Sequence, residues 1–212
     1  MDKFNLLDCT LRDGGYINDW KFTDEAITEM IKNMIEAGLD FIEVGYLNRS
    51  VNGYHTTQFH SIEQIAHYIP ANRRNSMLIA MIDVRQFSEK DLTPITNKSI
   101  DGIRVVFYKH QIEEAMILAA SVQRMGYKLF MQPMVTIDYS IDEYAMLTEK
   151  IAMLEPYAVS IVDSFGYMLK EDFRQYFKIL DNILQPEVAI GFHSHNNMDL
   201  AFITAQDILE YK

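Results

Sequence analysis

The sequence predicts an α/β protein, a TIM-type (β/α) barrel in which seven of the eight strand–helix units are evident. Three observations carry this expectation. Apolar spacing switches repeatedly between a strand-like and a helix-like period along the whole chain. Several strands are near-continuous apolar runs, the mark of parallel strands covered on both faces. Polar residues gather just after the strands rather than before them, on the side where α/β folds carry their chemistry.

The elements follow in order. FNLLDCT (4–10) reads as the first strand, with Cys9 inside it as a small core residue. TDEAITEMIKNMIEAG (23–38) is an amphipathic helix, capped by Thr23 and stopped at Gly38. FIEVGY (41–46) is the second strand, SIEQIAHYI (61–69) a short helix ending at Pro70, and SMLIAMIDV (76–84) a fully buried strand. A weak helical turn near 89–95 precedes the strand GIRVVFY (102–108) and the helix QIEEAMILAASVQRMG (111–126). The second half repeats the rhythm: strand 128–136, helix 140–156 with a Ser140/Glu143 capping box, strand 158–165 and helix 169–186. Strand 188–195 and helix 199–211 close the series. An open doubly wound sheet is the competing architecture, but neither G-x-G-x-x-G nor G-x-x-x-x-G-K-[ST] follows the first strand.

Composition bounds the function. The 212 residues are 49% hydrophobic and 23% charged, so the chain builds a core and is read as one domain over 1–212. With 19 Lys and Arg against 30 Asp and Glu, the net charge is −11, which opposes nucleic acid and anionic membrane partners. The longest basic cluster is Arg73-Arg74, far too small to reverse that. Cys9 is the single cysteine, so no internal disulfide forms and a reducing, cytoplasmic setting is expected. The start, MDKFNLLDCTLRDGG, does not read as a signal peptide, and no run is long and apolar enough to span a membrane. A barrel short of one unit exposes edges beside its first and seventh strands, so a longer parent chain or a homo-oligomer is expected.

The strand ends collect Arg12-Asp13, Asp83 and Arg85, Tyr108-Lys109-His110, Thr136 and Asp138, Asp163-Ser164, and His193-Ser194-His195-Asn196, while Glu43 lies within the second strand. Residues two apart in a strand face the same side, so His193 and His195 can aim both imidazoles into one site. With Asp13 as carboxylate they make a three-ligand facial set with open positions, suited to a divalent metal that also receives substrate. Alternatively the two histidines are exposed or serve as ordinary hydrogen-bonding groups. Arg12 and Glu43 are either a structural ion pair or a clamp, Arg12 holding a substrate carboxylate or enolate oxygen and Glu43 orienting it. His55, His60, His67 and His110 read as surface residues.

LDCTLRDGGY at the start, FIEVGY on the second strand and GFHSHNN on the last together resemble the DRE-TIM metallolyase superfamily. This HMG-CoA lyase-like group includes 4-hydroxy-2-oxovalerate aldolase and the homocitrate and isopropylmalate synthases. The Asp-Arg-Glu set falls on Asp13, Arg12 and Glu43. The resemblance implies Asp13, His193 and His195 as ligands of a divalent cation, Mn or Mg in most members and Co or Zn in some. It implies Arg12 as the group that stabilises an enolate oxygen, Glu43 as its holder, and Ser164 in VDSFG as a hydroxyl for the carboxylate of a 2-oxo acid. Where family aldolases carry a His and the synthases a Gln, three residues after the metal aspartate, this chain has Tyr16, suited to act as acid or hydrogen-bond donor. The eighth strand and the aldolase's C-terminal domain have no counterpart in these residues.

The function expected from the resemblance is a metal-dependent carbon–carbon lyase or aldolase acting on a 2-oxo acid. The alternatives are an acyl-CoA-dependent Claisen synthase and a catalytically impaired metal-binding relative. A His-x-His hydrolase is disfavoured, because amidohydrolase-like barrels place that pair on their first strand.

Overall fold

The computed structural model describes residues 4–51 and 55–211. Met1–Lys3, the start of the segment read as lacking a signal peptide, lie outside the described residues. The strands are β1 (Leu7–Asp8), β2 (Phe41–Leu47), β3 (Gln58–Phe59), β4 (Met77–Asp83), β5 (Gly102–Phe107), β6 (Lys128–Pro133), β7 (Ala158–Asp163) and β8 (Ala189–Ser194). The helices are α1 (Thr10–Asp13), α2 (Gly15–Asn18), α3 (Asp24–Ala37), α4 (Ile62–Ile65), α5 (Ile112–Arg124), α6 (Ile141–Ala152), α7 (Lys170–Ile183) and α8 (Ala201–Tyr211). Hydrogen-bonded strand neighbours follow the order β1-β2-β4-β5-β6-β7-β8, with β3 beside β2. The pairs β1–β2, β2–β4, β6–β7 and β7–β8 are all parallel. Parallel neighbours joined through helices are the predicted α/β plan.

The chain divides into two compact units, Met1–Val105 with Ser121–Lys128, and Val106–Ala120 with Leu129–Lys212. In the first, β2 is buried along its whole length and β4 over all but its first residue. Helix α3 covers them with Ile27, Ile31 and Ile35, one apolar stripe at four-residue spacing. Its ends are set as the sequence predicts. The Thr23 side chain accepts from the Ala26 N–H, and Gly38 adopts φ +80°, a left-handed turn that glycine takes without strain.

In the second unit, α6 starts with the expected capping box, in which Ser140 and Glu143 satisfy each other's backbone N–H. It buries Tyr144, Leu147 and Ile151, and α7 buries Phe173, Tyr176, Phe177 and Leu180. Phe173 meets Phe192 of β8 edge-on at 5.0 Å. Strand β8 stays half exposed, unlike β7, as befits the last strand of the ordered path.

Several boundaries differ from the sequence reading, each for a local reason. The first strand is only Leu7–Asp8, because the Asp8 carboxylate accepts from the N–H and hydroxyl of Thr10 and turns the chain into α1. Cys9 therefore sits after the strand, at the start of that helix, rather than inside it. Strand β6 stops at Pro133 because Val135 adopts φ +51°, ψ +55°, and Thr136–Asp138 form a 3-10 turn. The two-residue strand β3 lay in a stretch read as loop.

Candidate active site

In the first unit, the T-L-R-D-G-G run is a tight spiral rather than an extended loop. Arg12 and Asp13 both donate backbone N–H to the Cys9 carbonyl, at 3.0 and 2.7 Å. Trp20 closes the loop by donating its indole N–H to the Arg12 carbonyl at 2.8 Å. A Cβ on Gly15 would stand 2.1 Å from the Trp20 ring, so this position needs glycine for close approach.

That spiral turns Arg12 inward, where it is 5% exposed, onto Glu43 of β2, which is fully buried. Arg12 Nε donates to Glu43 Oε2 at 2.7 Å, and Nη1 donates to Asp13 Oδ1 at 2.6 Å. The third guanidinium nitrogen, Nη2, is buried and has no hydrogen-bond partner among the described residues. Burial works against the charge on Arg12, but the Glu43 and Asp13 carboxylates outweigh it and hold the pKa above that of an ordinary arginine. A permanently charged donor thus stands out of water with one nitrogen unused, the arrangement of an anion-binding group.

A second arginine shares Glu43. Arg104 of β5, 2% exposed, directs Nη1 to both Glu43 oxygens at 3.2 Å and lies 3.5 Å from Cys9 Sγ. Sequence reasoning missed it, although GIRVVFY carries the same signal that exposed Glu43: one charge in an otherwise apolar buried strand. Cys9 itself has its thiol pushed up to about 12, chiefly by burial and then by Glu43, so it stays protonated and unreactive at neutral pH.

Tyr16 lies on α2 and is 67% exposed, its ring edge-on to Trp20 at 4.6 Å. At the end of β4, buried Asp83 takes the Arg85 guanidinium, so this polar strand end is engaged internally.

In the second unit, the ends of β7 and β8 are tied together through Asp163. Its carboxylate collects the N–H groups of Gly166, Tyr167 and Met168, at 2.8 to 3.1 Å, and folds the loop back. Its carbonyl receives the N–H of His195 at 3.3 Å and lies 2.8 Å from His195 Nδ1. A carbonyl only accepts, so in the neutral ring Nδ1 carries the hydrogen and Nε2 keeps its lone pair for a ligand. His193 and His195 present their rings 5.0 Å apart, as the same-side spacing predicts. Gly166 has φ +69°, and a Cβ there would meet the Asn197 nitrogen at 2.5 Å, which explains the glycine of VDSFG.

Ser164 Oγ accepts the Val135 N–H at 2.8 Å. This contact steadies a β-branched residue held in the left-handed region, an uncommon and strained conformation. Having accepted through oxygen, the hydroxyl keeps its proton for donation. Of the other predicted strand-end groups, Lys109 pairs with Glu143 at 2.6 Å, and Tyr108 stacks on His110.

The sequence profile of the HMGL-like family matches residues 3–207. The chain belongs to the HMGL-like family, of the DRE-TIM superfamily. It is 31% identical over 209 residues to a 4-hydroxy-2-oxovalerate aldolase of Thermomicrobium roseum, covering 92% of this chain and 55% of the relative. It is 25% identical over 197 residues to an oxaloacetate decarboxylase of Mycobacterium tuberculosis, covering 92% of this chain and 58% of the relative. The chain thus spans little more than half the length of these curated relatives. Among solved structures, the HMG-CoA lyase of Brucella melitensis superposes with a TM-score of 0.75 at 14% identity, over 100% of this chain and 78% of the lyase. That likeness shows the TIM-barrel-like fold of HMGL-like proteins. No helix among the described residues is long and apolar enough to cross a membrane.

Proposed function

We propose that this HMGL-like chain cleaves, or in reverse forms, the C3–C4 bond of a small 2-oxo acid through a pyruvate-type enolate, with a divalent cation as cofactor. The buried, unpartnered Nη2 of Arg12 carries the reading. A desolvated guanidinium donor is worth most where negative charge develops on an oxygen during reaction.

The named activities of the two relatives converge chemically. Aldol cleavage of a 4-hydroxy-2-oxo acid releases an aldehyde, and decarboxylation of oxaloacetate releases carbon dioxide. In both, the C3–C4 electron pair moves into C2–C3 and charge collects on the C2 oxygen. C3 then takes up a proton, matching the one given up by the C4 hydroxyl in aldol cleavage or coming from water in decarboxylation, to give the 2-oxo acid product.

Asp13, His193 and His195 offer one carboxylate oxygen and two imidazole nitrogens, a donor set that suits Mn, Mg, Co or Zn. When bound, such a cation supplies Lewis acidity to the oxo group of the substrate. Arg12 stabilises the developing charge on the C2 oxygen, and Glu43 fixes the direction of its donors. The Ser164 hydroxyl donates to the substrate carboxylate. Tyr16 is assigned to hydrogen-bond the C4 hydroxyl of an aldol substrate. The setting is the cytoplasm, where a lone free thiol such as Cys9 stays reduced.

The test is to load the protein with Mn, Mg, Co or Zn in turn and follow pyruvate release from oxaloacetate and from 4-hydroxy-2-oxo acids. Metal-dependent release from either substrate class supports the proposal. No release above the metal-only background in any case would refute it.

A further inference from the structure

We infer that Arg104 is a positioning residue: it locks the Glu43 carboxylate so that Arg12 is held with its unused Nη2 in one direction. The inference deepens the role proposed above for Arg12 and, for its use in catalysis, rests on that reading.

The geometry is specific. Glu43 has two oxygens and two arginines, and no exposure to solvent. Oε2 receives Arg12 Nε at 2.7 Å, and Arg104 Nη1 straddles Oε1 and Oε2 at 3.2 Å each. Rotation of the carboxylate that improved one contact would worsen another, so Arg104 fixes the torsion that Arg12 reads. With Arg104 gone, Glu43 loses the contact that spans both its oxygens, and Arg12 Nε loses the fixed direction of its acceptor. Cys9 Sγ lies beside Arg104 Nη1 at 3.5 Å.

Stability alone is a poor reason for such a cluster. Buried ion triads are often matched or surpassed in stability by apolar residues of similar volume, so their benefit is the placement of a group. The placement here is of the nitrogen that the rest of the cluster leaves without an acceptor.

The test observes the Arg12 Nε–H directly by nitrogen-15 NMR in the metal-free protein, assigned by its disappearance in Arg12→Lys. Arg104→Met should speed hydrogen exchange at this N–H about tenfold or more, the scale of one charge-assisted hydrogen bond. Arg104→Lys should restore protection, and backbone amides of β2 should keep their native exchange in both variants. Native protection of the Arg12 signal in folded Arg104→Met would overturn the inference, as would equal acceleration throughout β2. If Arg104→Met fails to fold, Arg104→Gln is judged by the same criterion.

A second arm measures oxalate, a stable mimic of the pyruvate enolate, binding to the Mn-loaded protein. Arg104→Met should weaken oxalate several-fold and leave Mn affinity unchanged. Failure of the native protein to bind oxalate would count against the proposed function, while the NMR result would still decide the role of Arg104.

Discussion

Arg12 and Glu43 are joined at 2.7 Å between Nε and Oε2, with no solvent reaching the carboxylate. A pair this deep is held by geometry that water cannot rescue, so each partner has a measurable and different consequence when removed. Glu43 pairs with two arginines, and Arg12 pairs with two carboxylates.

Arg12→Ala should keep the cation and lose turnover by about 10²–10³-fold, the effect of removing one preorganised donor to a developing oxyanion. Elemental analysis and pyruvate release, measured on the same preparation, check this. Unchanged turnover would remove Arg12 from the chemistry.

Glu43→Ala should destabilise the fold by about 3–5 kcal/mol, because it strands two buried guanidiniums without their shared counter-charge. Urea unfolding of the metal-free protein measures it. A loss below about 1 kcal/mol would mean that water reaches the cluster and that it is not the closed network described.

Gly166→Ala should weaken metal binding without touching a ligand. The added Cβ would press on the Asn197 nitrogen, in a backbone conformation with φ +69° that alanine rarely adopts. The strain, on the order of 1–3 kcal/mol, falls on the loop whose Asp163 carbonyl holds His195. Titration with Mn reads the affinity. Native affinity would show that this loop does not orient the imidazole.

Alkaline pH should unfold the protein partly through Cys9. Its thiol titrates at about 12 when folded, against about 8.5 for a free thiol, so the unfolded chain loses this proton first. The stabilising contribution is complete below the unfolded value and declines as pH rises towards the folded one. Cys9→Ala should flatten the fall in urea stability over that interval. An unchanged slope would place the thiol in contact with water.

Much of this was legible in the sequence. Alternation of strands and helices gave the parallel order, and Gly38 marks the left-handed turn that ends α3. Glu43 stood out as a charge in an apolar strand, and the His-x-His spacing placed two rings together on β8. Other features depend on contacts between distant residues. Nothing near Cys9 announces that Asp8 will cap Thr10 and end the strand, nor that Ser164 will prop the strained Val135 turn. Arg104 was readable by the rule that found Glu43, but its meaning appears only when both arginines reach the same carboxylate.

We propose that Asp13, His193 and His195 hold one cation and that Arg12 presents Nη2 to the ligand bound there. Crystals of the Mn-loaded protein grown with oxalate, recorded at the Mn absorption edge, test it most directly. One anomalous peak per chain is expected, coordinated by those three side chains, with an oxalate oxygen hydrogen-bonded to Arg12. A peak bound elsewhere, or oxalate seated away from Arg12, would contradict it.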